Sequence, residues 1–157
     1  MIQLGQRAKD KITGFSGVLT DRHSYLTGCD QYSITPPVND EGEFCGLVSF
    51  DEGRIEILGP GPMQEAPPGT QPLTLGQQAR DKVSGFAGIL SARHSYLTGG
   101  DQYSLTPQVG WEGEFREIYR FDQERIEVTG RGILPEEVRP AVDTRTGGPQ
   151  PMARPSK

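Results

Sequence analysis

Apolar and polar residues alternate over short stretches of this chain, and glycine, proline and aspartate separate one stretch from the next. This pattern predicts strands rather than helices, because the side chains of a strand point in turn to the two faces of a sheet. In the first 60 residues we predict five strands, at positions 6–10, 15–26, 29–35, 47–50 and 54–58.

The residue types between these stretches predict turns. Gly28 suits a tight turn at positive φ, and Pro36 with Pro37 ends the third strand because proline donates no hydrogen bond to a sheet. The apolar positions predict a modest core in each copy. The core residues of the second copy lie 71 positions after those of the first, which are Ala8, Ile12, Phe15, Val18, Leu19, Tyr32, Ile34, Phe44, Leu47, Phe50, Ile55 and Ile57.

The pattern occurs twice. Shifting the sequence by 71 positions aligns residues 4–59 with residues 75–130 without a gap, identical at 34 of 56 positions. Self-similarity at a fixed period is the mark of a repeated structural unit. We therefore predict two tandem copies of one small domain.

Five short strands, with a long second strand and a break before the fifth, are the order of an SH3-like barrel, and DKITGFSG with its copy DKVSGFAG looks like the start of a KOW-type barrel. We predict an all-β protein of two SH3-like (KOW-like) barrels, at residues 1–59 and 72–131. A Pro/Gly-rich linker at 60–71 is a semi-rigid spacer, and the Pro-rich extended tail at 132–157 has too few apolar residues for a core of its own.

Charge and cysteine usage narrow the function classes. The net charge is −5, without the clusters of Lys and Arg that neutralise nucleic-acid phosphates, which argues against a nucleic-acid partner.

Cys29 and Cys45 have Gly100 and Arg116 as counterparts, so we predict free thiols rather than a duplicated disulfide or metal site. There is no signal peptide and no apolar run of about 20 residues, which predicts a soluble protein made in the cytoplasm, without a membrane partner.

The chain contains little catalytic chemistry. Its two histidines, His23 and His94, occupy the same repeat position, but no nucleophile stands at a matching place in both copies. A phosphate-binding glycine loop, an HExxH motif and paired CxxC motifs are all missing from the sequence. We predict no enzymatic activity, no catalytic residue, no metal and no cofactor.

One segment is almost unchanged between the copies: RHSYLTGCDQYSITP at 22–36 and RHSYLTGGDQYSLTP at 93–107. Either recent duplication or a shared binding face explains its polar positions, because recognition surfaces combine aromatic and polar groups. Trp111, the single tryptophan, lies in a polar loop as an interface anchor or as a lid over the end of the barrel. The candidate binding residues are Arg22, His23, Tyr25, Gln31, Arg93, His94, Tyr96, Gln102 and Trp111.

The strings DKITGFSG, YLTGCDQY, a following proline and FDEGRIEI resemble a group of small tailed-bacteriophage proteins, most of unknown function, with an SH3/KOW-like barrel. The resemblance covers both copies but neither the linker nor the tail, and the second copy departs from it at Gly100, where the pattern has cysteine. It implies a phage origin and transfers no catalytic residue.

From this resemblance and the duplication we expect a non-enzymatic structural protein of the virion, such as a capsid decoration (cement) protein. Its partners would be the major capsid protein or another virion protein, with self-association as a further option, and its location the virion after synthesis in the host cytoplasm. One alternative is a phage protein that sequesters a nucleotide signal of host defence, with arginine on phosphate and tyrosine on the base. Another is a KOW-like module for RNA or the transcription machinery, which the acidic charge disfavours.

Overall fold

The structure is a computed structural model and describes residues 1–65, 67 and 69–138. It is all-β, with ten antiparallel strands in one sheet and one short helix, α1 (Pro135–Val138), within the described residues. Most of the predicted tail, residues 139–157, lies outside them.

Each repeat contributes five strands, and a 3-10 turn precedes the fifth, at Glu52–Arg54 and at Gln123–Arg125. The first repeat contains β1 (Arg7–Asp10), β2 (Ser16–Tyr25), β3 (Gln31–Thr35), β4 (Val48–Asp51) and β5 (Ile55–Gly59). The second contains β6 (Gln78–Asp81), β7 (Ala87–Tyr96), β8 (Gln102–Thr106), β9 (Tyr119–Asp122) and β10 (Ile126–Gly130). The strands predicted from alternation are confirmed to within two residues at each end, and Gly28 has the predicted positive φ, at 97°.

Strand pairing is the same in both repeats. In the first, β1 pairs with β2 and β5, β2 pairs with β3, and β3 pairs with β4, all antiparallel. A bulge between Leu19 and Asp21 shifts the register of β2 against β3, as a bulge between Leu90 and Ala92 does in the second repeat. Bulges bend a strand and increase its twist, so each long strand changes direction near its middle.

The two repeats join through these long strands. Because β1 has four residues and β2 has ten, β1 covers only Ser16–Val18 along its edge of β2. Residues 21–25 extend beyond β1 and pair instead with residues 92–96 of β7, which extend beyond β6 in the same way. This pairing, the inter-repeat interface, covers strand edges that would otherwise offer unpaired N–H and C=O groups.

Each repeat has its own core. The buried apolar residues of the first are Leu4, Ala8, Leu19, Tyr32, Ile34, Phe50 and Ile55. Those of the second are Ala79, Leu90, Tyr103, Leu105 and Ile126. Leu97 of the second repeat also packs against the first core, so a side chain of one repeat adds to the core of the other.

Part of the predicted core is wrong. Ile12 lies in the turn after β1, and Phe44 and Leu47 lie in the β3–β4 loop, with exposures of 74%, 69% and 46%. Their counterparts Val83, Phe115 and Ile118 are exposed as well, as is Val128 on β10. Apart from Val128, which lies on a strand, these residues occupy turn and loop positions that have no sheet face behind them, so apolar character there did not lead to burial.

An ion pair with a buried carboxylate fixes the turn after β1. Asp10 is fully buried and accepts two hydrogen bonds from Arg54, Nε to Oδ1 at 2.7 Å and Nη2 to Oδ2 at 2.7 Å. The backbone and hydroxyl of Thr13 also donate to Oδ2, at 2.8 and 2.5 Å. This pairing with Arg54 holds the pKa of Asp10 well below its usual range. Asp81 and Arg125 repeat the arrangement in the second copy.

Candidate functional site

The inter-repeat interface has a pseudo-twofold axis at its centre. The register pairs Arg22 with Ser95, His23 with His94 and Ser24 with Arg93. Because His94 is the counterpart of His23 in the repeat, this is the position at which equivalent residues of the two copies pair with each other. The two halves of the chain are therefore related as two subunits of a symmetric dimer are.

The two histidine rings contact each other on this axis. Nδ1 of His23 lies 2.7 Å from Nδ1 of His94, so between neutral rings one nitrogen donates a proton and the other accepts it. Along these two strands, residue pairs joined by backbone hydrogen bonds alternate with pairs that have none. Leu26 and Ser91 are a bonded pair, with Leu26 N–H to Ser91 O at 2.8 Å, and the alternation makes His23 and His94 a pair without backbone hydrogen bonds between them. Side chains at such positions approach most closely, which explains the contact.

The histidines are held neutral by their surroundings. His94 is 3% exposed, and its Nε2 lies 2.8 Å from Ser104 Oγ. Burial lowers the pKa of His94 to about 4, with smaller contributions from Arg120 and His23. Burial also lowers the pKa of His23, although Asp21 opposes this. Burial in turn raises the pKa of Asp21.

The predicted tyrosine and glutamine residues form a hydrogen-bonded chain in each repeat. Tyr25 Oη donates to Gln31 Oε1 at 3.4 Å, and Gln31 Nε2 donates to Asp51 Oδ1 at 3.0 Å. The second copy repeats this chain through Tyr96, Gln102 and Asp122, at 3.3 and 2.9 Å. The register places both chains on the face of the sheet that carries the histidines.

The predicted arginines lie on the opposite face, because side chains alternate along a strand. Arg22 is 3.7 Å from Glu65 of the linker, and Arg93 forms an ion pair with Asp101 through Nε at 2.7 Å. Both line a cleft of about 520 Å³ between the repeats, with Tyr96 at its edge. The structure thus separates the predicted arginines from the histidines, from Tyr25 and from both glutamines.

The chemistry available at the interface is limited. The two rings are hydrogen-bonded to each other, and the neighbouring groups are hydroxyls, amides and carboxylates already engaged in hydrogen bonds. Across the described residues, no group of three His, Cys, Asp or Glu side chains is placed to hold a metal ion. Cys29 and Cys45 are free and exposed.

Sequence reasoning missed two apolar loops. The first loop, residues 38–47, exposes Phe44 by 69%, and the second loop, residues 109–118, exposes Phe115 by 94%. Both turn in the same way, with the amides of Gly42 and Gly113 bonded three residues back at 2.9 and 2.8 Å. The signal was present in the sequence, as an aromatic residue directly after the string EGE in both copies, in a segment of low strand propensity.

Trp111 lies in the second loop and is 95% exposed. The alternative that Trp111 is a lid over the end of its own barrel is not supported, since the side chain covers nothing in the part of the chain that the structure describes. An indole in contact with water along nearly its whole surface is the arrangement expected of an interface anchor before binding.

A cavity lies beside the base of each loop. The first, of about 560 Å³, is lined by both repeats and the linker, mainly by Val18, Pro36, Pro37, Leu58, Met63 and Leu97. The second, of about 410 Å³, occupies the equivalent place and is lined instead by polar residues such as Gln78, Gln108, Arg116 and Thr129, beside Ile89 and Pro107.

No protein-family model, no curated protein and no solved structure matches the chain. Among the described residues, none of the helical structure has the length and apolar character to cross a membrane.

Proposed function

We propose that this chain is a non-enzymatic interaction protein that presents two equivalent apolar loops on one rigid β-scaffold. The observation that carries the proposal is the exposure of Phe44 and Phe115 at the same position of two identically folded turns. Exposed aromatic residues at a repeated position are typical of a surface that a partner covers.

The scaffold fixes the spacing of the two loops. The first begins after Thr35, which pairs with Val18, and the second after Thr106, which pairs with Ile89. From Val18 along β2 to the pseudo-twofold axis, and from there along β7 to Ile89, is about ten strand residues, or at most roughly 33 Å because the bulges bend both strands. Two linked contacts at a fixed distance raise the overall affinity for a partner with repeated sites.

A surface with repeated sites is what a virus particle offers. We assign the chain to the virion accessories, with a capsid decoration (cement) protein as the particular role and each five-stranded unit as an SH3-like barrel. The strand order and the 3-10 turn before the fifth strand support the barrel. The sequence resemblance to tailed-phage proteins supports the virion role.

The two alternatives have less support. A nucleotide binder would need arginines that are available to pair with phosphate, but Arg22 and Arg93 already form ion pairs with Glu65 and Asp101. An RNA-binding module would need a basic surface, whereas the chain has a net charge of −5.

Mass spectrometry of purified particles, with the copy number set against the major capsid protein, tests the virion role. We expect a stoichiometric amount in the particle, and absence from the particle would refute this role. Replacing Phe44 and Phe115 by Ala together should reduce occupancy at least tenfold, because buried aromatic anchors dominate interface energies. The matched control replaces Ile12 and Val83 by Ala: they are equally apolar, 74% and 76% exposed, and outside both loops, so occupancy should not change.

A further inference from the structure

The two repeats have diverged in complementary ways at one pair of surfaces. The second loop carries Trp111 where the first carries Asp40, so only the second has an indole. The cavity beside the first loop has Pro37 and Leu58 where the second cavity has Gln108 and Thr129. One repeat therefore has an additional exposed aromatic group, and the other has an apolar cavity.

We propose that Trp111 of one copy binds in the apolar cavity of a second copy, so that the chains associate head to tail. Trp111 is 95% exposed and so does not enter the cavity of its own chain, and the second loop and the first cavity lie at opposite ends of the β2–β7 pair, about ten strand residues apart. The indole must therefore bind another chain.

The size and apolar character of the cavity fit this occupant. Its volume of about 560 Å³ is within the range of pockets that enclose drug-sized ligands, which exceed an indole in size. The proline, leucine and methionine side chains that line it give apolar contacts, and Leu58 and Met63 are 53% and 52% exposed until something covers them.

Charge also favours a second copy. Arg7 lines the apolar cavity, and the incoming loop carries Glu112 and Glu114 beside Trp111. In the reverse direction, Arg116 of the incoming loop, which replaces Cys45, would meet a receiving loop that carries Asp40 and Glu41. Each surface therefore offers the other an arginine and carboxylates.

Association of this kind has no built-in end. The surfaces in contact differ, so each added copy leaves one loop and one cavity free, and the result is a ring or a filament. A contact centred on one aromatic residue is small, so we expect a weak, concentration-dependent series of oligomers rather than a stable dimer. The inference does not depend on the virion role.

The test is sedimentation velocity of the full chain over a range of concentrations, with Trp111 fluorescence as a second readout. We expect larger species and a blue-shifted emission as concentration rises. Trp111→Asp and the double variant Pro37→Gln with Leu58→Thr should each weaken association at least about tenfold. Both variants place at each site the residue that the other repeat already carries there, so the fold should be kept. Val83→Ala is the control and should associate like the unmodified chain.

Mixing the two variants separates this inference from other kinds of contact. The Trp111→Asp chain keeps its cavity, and the cavity variant keeps its tryptophan, so together they should form a one-to-one dimer that cannot extend. A mixture that stays monomeric would overturn the inference, as would a normal series of oligomers from the cavity variant alone. Absence of any concentration dependence in the unmodified chain would overturn it too, and would leave the particle experiment unaffected.

Discussion

Nδ1 of His23 lies 2.7 Å from Nδ1 of His94, the residue at the same position of the other repeat. Around this contact the strands β2 and β7 pair residue by residue with the counterpart segment. The near-identity of residues 22–36 and 93–107 thus has a structural explanation: each copy of the segment is both a part of its own repeat and the surface that the other repeat binds.

The histidine pair makes stability depend on pH. Unfolded histidine titrates near 6.5, whereas burial lowers the pKa of His94 to about 4 in the folded chain. The unfolded state therefore binds more protons between these values, so the free energy of unfolding should fall as pH drops from about 6.5 to 4, by on the order of 2 kcal/mol. Urea unfolding at several pH values measures this. His94→Gln should reduce the slope over that range, and an unchanged slope in this variant would contradict the assignment.

The Asp10–Arg54 and Asp81–Arg125 pairs, in which the aspartate is fully buried, should be essential for stability. An amide at position 10 or 81 cannot accept all the hydrogen bonds that the buried carboxylate accepts, so Asp10→Asn and Asp81→Asn should both show a clearly lower urea midpoint. Because the pKa of each carboxyl is lowered, this contribution is present above the usual carboxyl pKa and is lost only at more acidic pH than the histidine effect. Lys9→Gln, which breaks the exposed pair with Glu56, is the control and should cost less than about 1 kcal/mol.

Two glycines on the long strands are required by close packing. A Cβ at Gly17 would lie 2.1 Å from Thr35 O, and one at Gly88 would lie 2.5 Å from Thr106 O. Both neighbours are backbone atoms of a paired strand, so Gly17→Ala and Gly88→Ala should destabilise by about 1–3 kcal/mol. Gly53 has no atom within 4 Å of its Cβ position, and Gly53→Ala should leave thermal unfolding nearly unchanged. Equal effects at all three positions would argue against the β2–β3 and β7–β8 packing.

Two equivalent serines should respond differently to removal of their hydroxyl groups. Ser24 Oγ donates to Asp30 Oδ2 at 3.0 Å, but the counterpart Asp101 is bound by Arg93, and the buried Ser95 Oγ has no partner within the part of the chain that the structure describes. Ser95→Ala should therefore be neutral or stabilising, whereas Ser24→Ala should cost about 1 kcal/mol. Chemical denaturation of the two variants side by side measures both changes in the free energy of unfolding. A larger loss in Ser95→Ala than in Ser24→Ala would show that Ser95 has a partner.

The alternation of residues was sufficient to predict the strands, because each lies on a sheet with one face toward a core. It failed at Ile12, Phe44 and Leu47, where apolar residues occupy a turn or a loop. Periodicity predicts which face of a strand is apolar, and it does not predict burial in turns and loops, which have no sheet face.

The pairing of the repeats could not be read from the sequence for a different reason. Arg22, His23, Ser24 and Tyr25 are polar on both faces of the strand, which predicts exposure to solvent. The segment contributes to the interface mainly through backbone hydrogen bonds along the strand edge, such as Leu97 N–H to Thr20 O at 2.7 Å. Backbone hydrogen bonds form with almost any residue type, so the sequence does not reveal them. The candidate residues were therefore placed on one surface, although the pleat of the strand divides them between two.

Native-state hydrogen exchange of the Leu26 and Leu97 amides tests most directly whether the two repeats form one scaffold. Both amides donate across the inter-repeat interface, to Ser91 O at 2.8 Å and to Thr20 O at 2.7 Å. If the repeats are one sheet, these amides should be protected nearly as strongly as that of Leu19, which lies within the first core and donates to Gln6 O. Exchange as fast as that of the loop amides of Gly42 and Gly113 would contradict the account, since the repeats would then move independently and the spacing of the two loops would not be fixed.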